Sequence, residues 1–313
     1  MRRLLPVIAI ALTAPAAAQQ GSGAPFVIEQ TGQGFATLDA AVSAVRDGDA
    51  TILIAPGTYR DCTVQTGGDI TYRAIQPGSV IFDGGTCEGK AAFVLRGRRS
   101  VVDGIIFRNM RVPDGNGAGV RIETGDLFVS NSMFLDSQEG ILGGGHETIR
   151  TIAIDHSTFA GLGQCDETVD CSHSIYLGLS QGVIRITNSR FERGTGGHYV
   201  KIRAPQVVIA DSSFDDSQGR NTNYMIDMSE GGTGRITGNT FVQGPNKENW
   251  TALIVVGAEA RTYGSAGLVV SDNVATLAPG VERGPAFVAT TARDAVRMEN
   301  NRLGQGIRPF EQR

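Results

Sequence analysis

The chain has 313 residues, 41% of them hydrophobic and 19% charged, with a formal net charge of −4. That length allows one elongated domain or two compact ones, and that charge excludes a general nucleic-acid binder, which needs a broad basic surface. The 42 glycines follow no G-x-y period, which excludes collagen and points to many short strands and turns.

Residues 1–18 read as a secretory signal. Arg2 and Arg3 give a basic start, Leu4 to Leu12 an apolar centre too short to span a bilayer, and Ala16-Ala17-Ala18 a small-residue cleavage site before Gln19. Residues 19–313 are then expected in the periplasm or outside the cell, with no membrane span. In that oxidising setting the four cysteines should pair, and Cys62–Cys87 with Cys165–Cys171 is the parsimonious choice among three connectivities. Residues 35–47, FATLDAAVSAVRD, carry helical spacing at Phe35, Leu38, Ala41, Val42 and Val45 before Gly48. This segment is predicted to be a helix capping the N-terminal end. ATILIAPGTY, a strand running into a turn, follows it.

From Phe107 onward a phrase recurs: GIIFRN, SNSMFLD, DHSTFAG, TNSRFER, ADSSFDD and TGNTFVQ. Weaker copies stand near Val274 and Leu303. The six phenylalanines are 27, 25, 32, 23 and 27 residues apart. Each follows an alternating run such as LFVSNSMF or VVIADSSF, and a second such run comes after most. A period in the twenties with β-type alternation marks a solenoid, and the frame of leucine-rich repeats is absent. The prediction is an all-β, single-stranded, right-handed parallel β-helix with about three short strands per coil. Asn109, Asn131, Asn188 and Asn239 recur near coil corners, where amides can stack along the axis or simply serve turns. The 32-residue interval holds an insertion, residues 160–172, closed by Cys165 and Cys171, which should wall one side of any groove beside it. Its Asp166, Glu167 and Asp170 fit a solvated loop better than a metal cage.

The segment F-A-T-L-D-A-A-V…D-G-D…I-L-I-A-P-G-T-Y resembles the opening of secreted pectin-lyase-like β-helix proteins, and at the level of fold the resemblance extends over nearly the whole chain. That superfamily holds polysaccharide lyases, glycoside hydrolases, uronate epimerases, esterases and phage depolymerases, so the resemblance leaves the chemistry open. HSIYLG at 173–178, GHYVKIRA at 197–204 and the Y-M-I-D…G-G run at 224–232 are also similar to a set found together in some exported bacterial β-helix proteins.

Superposing the inward apolar residues of the second run aligns Ile175, Val200, Ile226 and Ile254, and also Leu177, Ile202, Met228 and Val256. Between them lie Tyr176, Lys201, Asp227 and Val255 on the outward face, roughly 5 Å apart from coil to coil. One outward step further stands Arg203. His173 and His198 hold matched places two residues before Ile175 and Val200. Strict alternation turns them inward, but a corner position would let them reach or brace the patch.

Two chemistries suit such a patch. Elimination on a uronate glycan needs a countercharge for the carboxylate, a base and an acid. Arg203 supplies the first, as a guanidinium forks a carboxylate; Lys201 and Tyr176 supply the others, with His173 and His198 as further candidates. A uronate epimerase would use nearly the same proton abstraction. The resemblance implies a calcium ion in such lyases, and Asp227 and Glu230 are the carboxylates available for it. A hydrolase instead needs two opposed carboxyl groups; Asp227 with Glu230, or the diverging Asp215 and Asp216, are weak pairs. A non-catalytic glycan-binding or envelope protein would show aromatic platforms. Tyr199, Tyr224, Trp250 and Tyr263 are the candidates for stacking on sugar, and Trp250 also suits a loop covering the coil edge. The expected partner is an acidic polysaccharide, bound by a monomer. Lysine 201 beside Asp227 could equally be a plain cross-strand ion pair.

Overall fold

A computed structural model describes residues 23–313. The predicted signal, residues 1–18, lies outside the described residues. The chain winds as a right-handed parallel β-helix. Its strands form three sheets of twelve, ten and ten strands, and strand order in each sheet advances coil by coil. Among the described residues, strand-to-strand pairings are parallel except at the N-terminal end, where Phe26–Ile28 pairs antiparallel with Gln33–Phe35 and with Asp49–Ile54. The alternation read from the sequence becomes alternation of burial. In Thr151–Asp155, Ile152 and Ile154 face the core while their neighbours face solvent.

The phenylalanines of the repeat stack in the second sheet. From Phe107 through Phe134, Phe159, Phe191 and Phe214 to Phe241, ring centroids are 4.8–5.1 Å apart and planes lie within 12° of parallel. Each contact adds about 0.5–1.5 kcal/mol beyond area burial. Ala275 and Leu303 continue the column.

The corner residues divide into two roles. Asn109, Asn131 and Asn188 do not stack; they take φ of 58°, 50° and 48° and donate their amides to Asp83, Asp103 and Asp155. Asparagine suits that left-handed region because its short side chain bonds locally. The axial ladder is made by neighbouring residues. Ser132, Ser157, Ser189 and Ser212 accept backbone N–H groups from the preceding coil. Asn239, Asn273 and Asn301 take over, with amide contacts of 3.0 and 2.9 Å.

The capping helix runs Leu38–Val45, shorter than the predicted 35–47. Thr37 caps it by accepting the N–H of Ala40 at 3.3 Å, and Phe35 is drawn instead into the terminal strand pair. Leu38, Ala41 and Val42 bury against the first coils. Cys62–Cys87 and Cys165–Cys171 are both disulfides. No helix among the described residues is long and apolar enough to cross a membrane.

Candidate functional site

The site forms on the outer face of the third sheet, where alternation is interrupted in a regular way. At the start of each strand two successive residues turn inward: Tyr199 and Val200, Met225 and Ile226, Leu253 and Ile254. The doubling resets parity, so residues three apart, such as His198 and Lys201, both face out. Two outward columns result. One contains Glu139, His173, His198 and Tyr224; the other contains Leu142, Tyr176, Lys201 and Asp227. The register of the second is Leu142↔Tyr176↔Lys201↔Asp227↔Val255, as the sequence predicts over its last four members. Rings mark the first: His173 and His198 lie 4.9 Å apart, His198 and Tyr224 5.6 Å. At either end the outer columns are apolar and buried, with Ala91, Val94 and Ala118 on one side and Ala252, Val255, Ala286 and Ala289 on the other.

Between these ends lies a cavity of about 600 Å³. Glu139, His173, Tyr176, His198, Lys201, Arg203 and Glu259 line it, and Val169, Asp170 and Cys171 of the disulfide loop wall one side as expected. Gly197 makes the histidine contact feasible. Its φ is 58°, and a Cβ there would fall 2.1 Å from the Ser172 carbonyl and 2.4 Å from His173 Nδ1. With glycine in place, the His198 backbone N–H donates to that Nδ1 at 3.0 Å.

Lys201 faces outward but is only 8% exposed. The cover is Glu259, whose carboxylate accepts from both Lys201 Nζ and an Arg203 guanidinium nitrogen. The loop carrying Glu259 folds back through N–H donation from Glu259 and Ala260 to the Ser229 carbonyl at 2.9 and 3.1 Å. Beneath, Asp227 Oδ2 stands 3.9 Å from Lys201 Nζ, 3.5 Å from His198 Nε2 and 2.7 Å from the Ser229 hydroxyl that donates to it. The Tyr176 ring lies under both cations, 5.5 Å from Lys201 Nζ and 5.3 Å from the Arg203 guanidinium carbon.

Burial governs the ionisation of this floor. It pushes the Asp227 carboxyl up to about 6, with Glu259 adding to the rise and Ser229, Lys201 and Arg203 opposing it. Burial lowers His173 to about 3, helped by the charges of Lys201 and Arg203. His198 is lowered by burial too, then by His173 and Lys201. Both imidazoles are therefore neutral at pH 7. Glu139 is held well above the carboxylate range by burial, against the His173 backbone N–H and Arg121.

No protein-family model matches the chain, and no curated protein matches it. Among solved structures it is similar to an alginate lyase from Paenibacillus sp. str. FPU-7, at 14% identity and a TM-score of 0.67, over 88% of this chain and 95% of that one. The fold is shared. Two further similar structures are the ORF18 protein of Geobacillus virus E2, at 12% identity and a TM-score of 0.45 over 91% of this chain and 57% of that one, and a PL6 alginate lyase in complex with a trisaccharide, at 16% identity and a TM-score of 0.33 over 82% and 57%. These two overlap too little to bear on the site. The pectin-lyase-like resemblance thus holds at the level of the β-helix.

Several predicted site residues lie elsewhere. Tyr199 is a core residue, 1% exposed, whose hydroxyl donates to Asp216 at 2.8 Å; the parity reset turns it inward. Tyr224 is buried and stacks on His198, its hydroxyl accepting from Asn249 at 2.7 Å, so it offers no face to a sugar. Trp250 lies outside the cavity lining with the Arg283 guanidinium over its ring, which agrees with a loop residue covering the coil edge. Tyr263 donates to the Leu179 carbonyl at 2.8 Å. Asp215 and Asp216 diverge: Asp216 is fully buried against Lys247 and Thr222, and Asp215 caps Ser217. Asp227 and Glu230 do not fit a calcium ion. Calcium needs six to eight oxygens, whereas Asp227 faces Lys201 and His198, Glu230 faces Arg203 at 3.7 Å, and no cluster of three or more metal-ligating side chains occurs among the described residues.

Two cavity residues escape a search by the lysine column. Glu139 has a legible signal, since E-G-I at 139–141 repeats the spacing of H-S-I at 173–175 and H-Y-V at 198–200. Glu259 sits in a loop outside the repeat, and no periodicity points to it.

Proposed function

We propose that this chain is an exported polysaccharide lyase that cleaves a uronate-containing glycan, with alginate the first polymer to test. One observation carries the proposal: Lys201 and Arg203 together hold a carboxylate, that of Glu259, in a walled cavity on a rigid sheet. A uronate carboxylate that displaces Glu259 meets the Arg203 guanidinium with Lys201 beside it. The β-helix shared with an alginate lyase is consistent with this, and the two disulfides favour an oxidising compartment.

In the proposed step Arg203 binds the substrate carboxylate and stabilises charge developing on it. Lys201, as the free amine, takes the proton α to that carboxylate. The C–H electron pair becomes a carbon–carbon double bond, the bond to the 4-linked oxygen breaks, and Tyr176 gives that oxygen its proton. His173 and His198 brace the column as neutral rings. The test is a panel of uronate polymers, followed by ultraviolet absorbance of unsaturated ends with and without chelator. Absorbance on an acidic polymer is the expected result, and its loss in chelator would reveal a calcium requirement. Reducing ends from neutral glycans with no absorbance on any uronate would replace the lyase with a hydrolase.

A further inference from the structure

The cavity has a second half that the elimination step does not use. We propose that Glu139, His173 and His198 form a subsite for an uncharged sugar hydroxyl, with Glu139 as its anchor. The inference rests on the glycan-binding role of the cavity.

The three side chains follow one another on successive coils and line the same cavity. Glu139 is 1% exposed, and its Oε2 has no hydrogen-bond partner among the described residues. His198 Nδ1 is likewise buried and unpartnered. Such atoms cost about 1–3 kcal/mol each while unsatisfied, so a ligand that reaches them is favoured. His173 has a fixed tautomer. Its Nδ1 accepts the His198 N–H, so a neutral ring carries its proton on Nε2, which is left as a donor. Burial pushes the Glu139 carboxyl well above the usual carboxylate range, with the His173 backbone N–H and Arg121 opposing and Asp114 reinforcing, which favours its protonated form. A carboxylic acid donates through its O–H, and the hydroxyl it meets can donate onward to an imidazole nitrogen. A second carboxylate would be refused here, because Asp170, Glu248 and Glu259 also line the cavity. The cavity therefore takes a sugar with its carboxylate at Arg203, which the Lys201→Ala protein retains, and a free hydroxyl at Glu139.

The experiment is a calorimetric titration of tetrasaccharides from alginate and from pectate into Lys201→Ala protein, alone and combined with Glu139→Ala or Glu139→Gln. Loss of one neutral hydrogen bond predicts about tenfold weaker binding for Glu139→Ala. Glutamine, which keeps a donor, should restore affinity to within about threefold of the parent. An O-acetylated tetrasaccharide, its hydroxyl blocked, should bind the Lys201→Ala parent about tenfold more weakly than the free form, a readout that needs no change at Glu139. Equal affinity for all three proteins, an equal loss with alanine and glutamine, or indifference to acetylation overturns the subsite alone. No binding of either tetrasaccharide by the parent overturns the glycan-binding role and the subsite with it.

Discussion

The same coils present two columns with opposite behaviour. In the second sheet the inward position is phenylalanine on seven successive coils, Phe82 to Phe241. In the third sheet the outward position changes at every coil, from Arg121 through Leu142, Tyr176 and Lys201 to Asp227. The inward column answers to packing, which every coil poses identically, so one residue solves it repeatedly. The outward column is released from that demand in the middle of the helix, and there cations, carboxyls and imidazoles gather.

The comparison breaks if the two columns respond alike to truncation. The largest separation is expected at Lys201. Lys201→Ala should lower turnover by about 10²–10⁴-fold, the usual worth of a general base, while circular dichroism and melting stay close to the parent. Phe159→Ala should do the reverse. Removing a fully buried, doubly stacked ring costs about 3–5 kcal/mol in denaturant unfolding, with turnover per folded molecule unchanged.

Asp227 sharpens the contrast through pH. Its folded-state carboxyl titrates at about 6, above the 3.8 of a solvated aspartate, so between these values the folded chain binds more protons than the unfolded one. Stability from this group is full below the unfolded value and is lost as pH rises through the folded one. Denaturant unfolding of Asp227→Asn against the parent should therefore drift in favour of the variant by about 2 kcal/mol from pH 4 to pH 7. A flat difference would mean that Asp227 is ionised throughout. The smallest effect is expected at Glu259. Glu259→Gln removes an internal competitor for Lys201 and Arg203, and should lower KM for an acidic glycan by about fivefold, roughly 1 kcal/mol, with kcat little changed.

The helical winding, the phenylalanine column and the pairing of Tyr176, Lys201 and Asp227 were legible because the repeat spacing sets them, and both disulfides were legible as the simplest of three connectivities. The limits of legibility have physical causes. Tyr199 looks outward if alternation is strict, and the doubled inward pair at each strand start sends it to the core while bringing His198 out. Asn109, Asn131 and Asn188 look like a ladder by spacing, yet their left-handed backbone turns the amides to neighbouring aspartates. Glu259 reaches the site through a loop whose return path is set by tertiary hydrogen bonds, which leave no local pattern.

Mass spectrometry of the products released from a uronate polymer puts the account to its most direct test, because elimination leaves each new non-reducing end lighter by one water than hydrolysis does. The parent chain should yield the lighter ends, and Lys201→Ala should yield almost none. Ends carrying the full mass of water, or a Lys201→Ala protein as fast as its parent, would contradict a base on the outer face of the third sheet.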